Sequence, residues 1–237
     1  MGAKIRGSSV IEDERRRVIE NGEVSLIPKL IFDGVDLKGC DRYGFTALHW
    51  AVQPKGDVNN AKILLDSQTN DVNCSDNKGR TALHLACLKG HLDMVNFLIQ
   101  RGADVDAVDG DGTTPILYAV IENYPDIVLM LVENGCNVNV SDEDGNIPLH
   151  WAVDQGDINL VHALFRSKII DVDFTDEKCE KNTALHLAAQ NGYEAVAKYL
   201  IEKAANLDAL NEDGKTPLQV ATERGHKATC DLIREKM

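Results

Sequence analysis

Apolar and polar positions repeat along most of the chain with a period close to 33 residues. The sequence Thr-Ala-Leu-His-Trp-Ala recurs with small changes at 46–51, 81–86, 114–119, 147–152, 183–188 and 216–221, so that successive starts are 35, 33, 33, 36 and 33 residues apart. Each segment leads into apolar residues at helical spacing, such as Leu92, Val95 and Leu98. This periodicity predicts two helices in every repeat, which bury their apolar faces by stacking on neighbouring pairs.

The residues of the recurring segment have mechanical roles at the helix ends. Thr at the first position predicts an N-cap hydroxyl that accepts from a backbone amide, and a glycine after the first helix predicts a left-handed residue. Asn123 stands in the place of that glycine in the third segment. Ile147 replaces the capping threonine, so we expect Ile147→Thr to stabilise the protein by roughly 1 kcal/mol. Lys168 and Ala204 replace the glycine after the second helix and indicate strain or altered loops there.

Six segments in phase resemble the ankyrin-repeat signature T-P-L-H-x-A, and the resemblance covers the chain from about residue 41 to its end. It implies an all-α repeat solenoid of stacked helix-turn-helix units with β-hairpin finger loops. Residues 22–34 align with residues 90–102, so a degenerate seventh unit precedes the six. Its charged first helix, about Glu12 to Glu20, and the polar last helix indicate a cap at each end of the solenoid.

One ankyrin-repeat domain is therefore expected over residues 1–237, and we expect the solenoid to be complete in this chain. Residues 1–10 are expected to be disordered, and residues 11–40 and 211–237 to form the two capping repeats. The repeats between them are predicted at 41–75, 76–108, 109–141, 142–175 and 176–210.

Composition narrows the classes of function. The chain is 43% hydrophobic and 27% charged, as in folded proteins, and its formal net charge is −13. That charge repels nucleic-acid phosphates and attracts a basic partner. No apolar run is long enough for membrane insertion, and six scattered cysteines favour a reducing compartment. We expect a protein of the cytoplasm or nucleus that is monomeric when unbound.

No catalytic, cofactor or metal site is predicted. The histidines at 49, 84, 150 and 186 recur at one repeat position, where the ankyrin resemblance implies local bonds to the backbone and the capping threonine. The loops that start at Asp109 and Asp142 resemble calcium loops, but the twelfth position holds Val120 or Val153 instead of glutamate. Phosphate-binding glycine motifs and nucleophile elbows are absent from the sequence.

The resemblance implies that partners dock on the finger tips and on the exposed side of the first helices, a concave surface in ankyrin proteins. The acidic tips could steer a basic segment or simply be solvated, and the aromatic residues after the signature histidine could anchor a partner or pack between repeats. The candidate partner-binding residues are Tyr43, Phe45, Trp50, Asp109, Asp111, Thr113, Tyr118, Glu122, Asp142, Glu143, Asp144, Trp151 and Asp154.

The expected function is a protein-interaction module or scaffold that grips a lysine- or arginine-bearing segment between the acidic tips and a groove of Trp50, Tyr118 and Trp151. Three alternatives stay open. The chain could be a regulatory or targeting domain of a larger protein, or could resemble gankyrin-type proteasome assembly chaperones. It could also read methyl-lysine with Tyr118, Trp151 and Glu122, although Thr113 stands where such readers have a further aromatic residue.

Overall fold

The computed structural model describes residues 2–53, 56–67, 71–175 and 180–237, with the backbone alone over 2–9. The described residues form helices joined by short loops, in two compact units, Met1–Gly110 and Asp111–Met237. The first unit contains α1 (Gly2–Asn21), a 3-10 turn (Val24–Leu26), α2 (Ile27–Phe32), α3 (Ala47–Val52), α4 (Val58–Asp66), α5 (Ala82–Lys89) and α6 (Leu92–Gln100). The second contains α7 (Pro115–Ile121), α8 (Pro125–Glu133), α9 (Pro148–Asp154), α10 (Ile158–Leu164), α11 (Ala184–Asn191), α12 (Glu194–Glu202), α13 (Pro217–Arg224) and α14 (Lys227–Lys236).

Within each unit, the first helix of a repeat packs on the first helix of the next repeat, and the second helices do the same. In the second unit, α7, α9, α11 and α13 form one row, and α8, α10, α12 and α14 form the other. The core is made by the leucine or isoleucine and the alanine of the recurring segment: Leu48, Ala51, Leu83, Ala86, Ile116, Ala119, Leu149, Ala152, Leu185 and Ala188 are all buried. The predicted all-helical repeat fold is therefore confirmed.

The N-terminal helix differs from the sequence expectation. The charge pattern placed it at about Glu12 to Glu20, with disorder over residues 1–10, whereas α1 extends back to Gly2. No proline interrupts residues 2–21, so the intrahelical hydrogen bonds can continue through the segment. The predicted repeat boundary at residue 176 lies outside the described residues.

The predicted helix caps are present where threonine is followed by histidine three residues later. Thr46 Oγ1 lies 2.8 Å from His49 Nδ1, and the Thr46 amide donates to the same nitrogen at 3.1 Å. Thr114 is an exception, because Leu117 stands in the place of the histidine and the buried Thr114 hydroxyl has no partner among the described residues. The threonine therefore caps well where a polar side chain follows three residues later, either histidine or, as in Thr216 and Gln219, glutamine.

Left-handed residues end the helices as predicted. Gly90, Gly192 and Gly225 have φ near +70°, and Asn123 takes the same conformation with φ +58°. Ala204 has φ +65°, which confirms the strain expected where alanine replaces glycine. Lys168 does not adopt a positive φ.

The predicted β-hairpin fingers are not confirmed as paired strands in the described part of the chain, although a backbone hydrogen bond crosses the tip from Asp41 to Phe45, from Asp76 to Arg80 and from Asp142 to Asn146. Only isolated bridges join Cys40 to Thr46 and Ser75 to Thr81. The side chain of the first tip residue also closes the loop: Asp76 Oδ1 accepts from the amides of Lys78 and Arg80 at 2.8 and 2.9 Å. Carboxylate bonds to nearby amides compete with strand pairing, so the side chains of Asp41, Asp76 and Asp142 help to close their turns.

The structure argues against the gain in stability that the sequence predicts for Ile147→Thr. Ile147 is fully buried at the start of α9, so its side chain contributes to the core as well as occupying the N-cap position. Burial of its two extra carbons is worth about 0.8 kcal/mol each, which exceeds the roughly 1 kcal/mol that a threonine cap contributes. The sequence predicts the cap at position 147, but it does not show that the Ile147 side chain is buried.

Candidate functional site

The aspartates that begin the finger tips have a structural role. Asp41 and Asp142 each use Oδ1 to accept two amides of their own loop, as Asp76 does, at 2.8 to 3.0 Å. Their Oδ2 atoms differ: Asp76 Oδ2 binds Arg80 at 2.7 and 2.9 Å, and Asp142 Oδ2 accepts from Trp151. Asp41 Oδ2 is buried without a partner among the described residues. These carboxylates shape the tips before they can contact a partner.

Trp151 is held on the first helix of its repeat with part of its surface exposed. Its Nε1 donates to Asp142 Oδ2 at 2.8 Å, and the indole is half-buried. It lines a pocket of about 170 Å³ together with Asn146, His150, Asp154 and Leu187. Asp154 is exposed, and its Oδ1 accepts from Asn191 Nδ2 at 3.2 Å. Three predicted site residues, Asp142, Trp151 and Asp154, are therefore brought together in the second unit.

Trp50 is the equivalent residue of the first unit, and it packs between helices. Its Nε1 donates to the carbonyl of Ile19 on α1 at 3.1 Å, and a side-chain carbon on Gly22 would come within 2.4 Å of the ring. Phe45 meets its ring edge-on at 5.2 Å. The same indole borders an open cavity of about 430 Å³ with Tyr43, so Trp50 packs between repeats and is also accessible.

The remaining predicted residues divide by exposure. Asp109 is buried, 7% exposed, so we withdraw it as a contact residue: its loop position turns its carboxylate inwards, as at Asp76. Five others are exposed: Asp111, Glu122, Glu143 and Asp144 in the second unit and Tyr43 in the first. Thr113 and Tyr118 are half-buried. A common groove of Trp50, Tyr118 and Trp151 stays a prediction, because these residues belong to different units.

The signature histidines are structural links. His49 Nε2 lies 3.0 Å from the carbonyl of Arg80, and His186 Nε2 lies 2.9 Å from that of Lys215, so each ring reaches the finger that follows its own repeat. Burial lowers the pKa of both imidazoles, against the smaller opposing effect of these carbonyls. The rings are therefore neutral at physiological pH, with Nδ1 accepting from the threonine amide and Nε2–H donating to the finger carbonyl.

The negative charge of the chain is concentrated in one stretch, which the sequence analysis located only in part. Residues 102–165, here called the acidic segment, contain twelve Asp and Glu and no Lys or Arg. The remaining residues contain 26 acidic and 25 basic side chains, which nearly balance. A running count of lysine and arginine along the chain would have found this signal. Nine of the twelve carboxylates lie in the second unit, at residues 111–165.

Comparison with known proteins settles the family. The family model described as "Ankyrin repeats (3 copies)" matches residues 17–109, 102–176 and 149–237. The chain belongs to the ankyrin-repeat family. Ankyrin repeats are protein-interaction modules and are generally non-catalytic, so this chain is a module of that kind.

Ankyrin-repeat relatives of several kinds are similar to this chain. Palmitoyltransferase ZDHHC17 of Danio rerio is 38% identical over 222 residues, which cover 87% of this chain and 33% of the relative. Potassium channel AKT1 of Arabidopsis thaliana is 42% identical over 167 residues, 70% of this chain and 19% of the channel. The 26S proteasome non-ATPase regulatory subunit 10 of Dictyostelium discoideum is 33% identical over 103 residues, 43% of this chain and 44% of that subunit. The chain thus spans less than half the length of each.

In the part of the chain that the structure describes, no three His, Cys, Asp or Glu side chains come together as a metal site would require. Over the same residues, none of the helices combines the length and the apolar character that crossing a bilayer demands.

Proposed function

We propose that this ankyrin-repeat chain binds a lysine- or arginine-bearing segment of another protein on residues 111–165 of its second unit. The observation that carries the proposal is the uneven charge. A net charge that served solubility alone could be spread over the surface, whereas this chain is nearly neutral outside the acidic segment.

The exposed carboxylates of this region have few cations to neutralise them. Residues 111–165 contain no Lys or Arg, and Glu133 reaches a cation only beyond that stretch, at 3.9 Å from Arg166. The potentials of carboxylates in one stretch without cations add, and a segment of opposite charge is attracted at long range. Binding would therefore be fast and sensitive to salt.

Peptide selection tests this proposal directly. The chain is used to select from a random peptide display library at about 0.05 M salt, and we expect the selected peptides to be enriched in lysine and arginine. Their association rates should fall steeply as salt is raised to about 0.5 M, where screening acts over only a few ångströms. Selected peptides without basic enrichment would contradict the proposal.

Matched charge reversals locate the surface. Glu143→Lys/Asp144→Lys changes two exposed residues of a finger tip, and we expect it to weaken binding of the selected peptides at least tenfold. Glu194→Lys/Glu202→Lys makes the same change of charge at two exposed positions of α12, outside residues 111–165. It should weaken binding less than threefold. Equal losses would show that total charge, rather than the finger side, governs binding.

A second candidate is that the same surface binds a segment of a longer polypeptide that includes these repeats. It is favoured because the alignments with the palmitoyltransferase and the channel cover only 33% and 19% of those proteins. Determination of the full-length transcript tests it: an open reading frame of 237 codons would exclude it. The partial alignment with the proteasome subunit does not extend its partners to this chain, because surfaces differ among proteins of one fold.

A further inference from the structure

The pocket beside Trp151 has the size of a single side chain. It lies where the finger loop at Asn146 meets α9 and α11, and its volume is about 170 Å³. Pockets that enclose small-molecule ligands measure about 300–1,000 Å³. A metabolite or nucleotide would not be enclosed here, whereas one side chain of a bound peptide would be.

Its wall offers an apolar and aromatic surface that is fixed in place. The hydrogen bond from Trp151 Nε1 to Asp142 Oδ2 holds the indole, so the ring keeps its orientation before any ligand arrives. Leu187 of α11 is half-buried and adds aliphatic surface to the same pocket. Such a wall suits the methylene stem of a long side chain.

The charge of the pocket is negative. Asp154 contributes a carboxylate that Asn191 orients through a 3.2 Å hydrogen bond, and Asp142 places a second carboxylate at the edge of the indole. The residues that line the pocket include no lysine or arginine, and neither does the rest of 111–165. The potential of these carboxylates therefore favours an occupant with positive charge over a neutral or negative one.

Arginine fits this combination better than lysine. Its guanidinium is planar, so it can lie on an indole and donate two parallel hydrogen bonds to one carboxylate. It is also more weakly hydrated than an ammonium group, so removing it from water into a half-enclosed pocket costs less free energy.

We propose that the pocket of Trp151 and Asp154 receives one arginine side chain of the partner segment. This proposal rests on the proposed function and narrows it to a single side chain and a single pocket.

The two tryptophans of the chain provide a direct readout. Trp50 and Trp151 are its only indoles, so ¹⁵N-labelled protein should give two indole N–H signals, assigned by means of Trp151→Leu. Leucine occupies the equivalent positions 85 and 187, so this variant should fold. Titration with a twelve-residue Gly/Ser/Lys peptide that carries one central arginine should shift the Trp151 signal to saturation and leave the Trp50 signal nearly unchanged.

Changes to the peptide and to the protein complete the test. Replacing the central arginine with lysine, trimethyl-lysine or citrulline should weaken binding at least fivefold. Asp154→Asn should weaken binding of the arginine peptide at least fivefold, whereas Glu194→Gln, an equal change of charge at an exposed position in the first turn of α12, should weaken it less than twofold. Thermal unfolding checks that both variants are folded.

The outcomes separate this proposal from the proposed function. If no basic peptide binds the wild-type chain, both fail. If lysine or trimethyl-lysine peptides bind as tightly as the arginine peptide, or if Asp154→Asn and Glu194→Gln are equivalent, the arginine pocket is wrong while the basic-segment function stands. Equal shifts of both indole signals would also overturn the pocket.

Discussion

At the scale of single residues, the aspartates of the finger tips show how one position can combine a constant and a variable role. Oδ1 closes the turn in Asp41, Asp76 and Asp142, and Asn211 does the same through its Oδ1 to the Lys215 amide at 3.0 Å. The second side-chain polar atom contacts Arg80 in Asp76, Trp151 in Asp142 and Asn182 in Asn211, and in Asp41 it has no partner among the described residues. The first role follows from the repeat pattern, whereas the second depends on residues brought close by folding.

Because Oδ2 has a partner in Asp76 and none among the described residues in Asp41, replacement of aspartate by asparagine should affect the free energy of unfolding differently at the two positions. Asp41→Asn keeps the turn, as Asn211 does, and removes a buried charged oxygen without a partner, so we expect it to leave the free energy of unfolding unchanged or to raise it by up to about 1 kcal/mol. Asp76→Asn disrupts the Arg80 pair and should lower stability by about 1–3 kcal/mol. Urea unfolding at pH 7 measures both. A large loss for Asp41→Asn would mean that its Oδ2 has a partner that the contacts do not show.

Ile147→Thr tests burial against capping at one site. The cap should contribute roughly 1 kcal/mol, and the lost core contacts should cost about 1.6 kcal/mol before any cavity is counted. We therefore expect a net loss of about 1 kcal/mol in urea unfolding. Ile147→Val, which removes one carbon and adds no hydroxyl, serves as the control, and its free energy of unfolding should fall by about 0.5–1.5 kcal/mol. A threonine variant more stable than wild type would restore the original expectation.

At the scale of elements, the histidine of the recurring segment couples its helix to the next finger, and this coupling should depend on pH. Burial lowers the folded-state pKa of His49 and His186 below the unfolded value of about 6.5. The unfolded chain therefore binds more protons as the pH falls below that value, and stability decreases from there down to the folded-state pKa. The slope is at most about 1.4 kcal/mol per pH unit for each histidine.

Gln219 supplies the matched variant, because it occupies the histidine position of the last repeat and accepts from the Thr216 amide at 2.8 Å. We expect wild type to lose stability between pH 7 and pH 5, and His49→Gln/His186→Gln to lose less over the same interval. Burial, the largest single effect on Asp76, raises its pKa, but the hydrogen bonds from Arg80 and Lys78 and the charge of Arg80 together lower it, so its effect lies below about pH 4. Equal pH slopes in chemical unfolding would exclude the histidines as the cause.

The helices could be predicted from the sequence because they depend on local periodicity and on residues three or four positions apart. The capping pair of Thr46 and His49 and the left-handed Asn123 are of this kind. The fingers were predicted as hairpins, because periodicity does not reveal that Asp76 binds the amides of its own loop. Likewise, the burial of Asp109 and the bond of Trp50 to Ile19 depend on contacts between repeats, which one repeat's sequence does not encode.

At the scale of the whole molecule, the acidic segment should reduce stability at low salt. At 0.01 M salt the screening length is about 30 Å, so its twelve carboxylates repel one another even when they are not in contact. At 0.15 M salt the screening length is about 8 Å, and this repulsion is much weaker. Repulsion of this kind opposes the compact state. We therefore expect the unfolding temperature to rise as sodium chloride is increased from 0.01 to 0.15 M.

A pair of triple variants distinguishes this local repulsion from a general effect of salt. Glu122→Gln/Glu143→Gln/Asp144→Asn removes three exposed charges from the acidic segment, and it should raise the unfolding temperature at 0.01 M salt and reduce the gain on adding salt. Glu202→Gln/Asp208→Asn/Glu212→Gln removes three exposed charges where lysines are interspersed, so it should leave the salt dependence close to that of wild type. If both triple variants respond alike, the repulsion belongs to the net charge of the chain and the acidic segment has no separate role in stability. A smaller salt gain in the first variant alone would show that the region proposed to bind a basic partner is itself under electrostatic strain, which such a partner would relieve on binding.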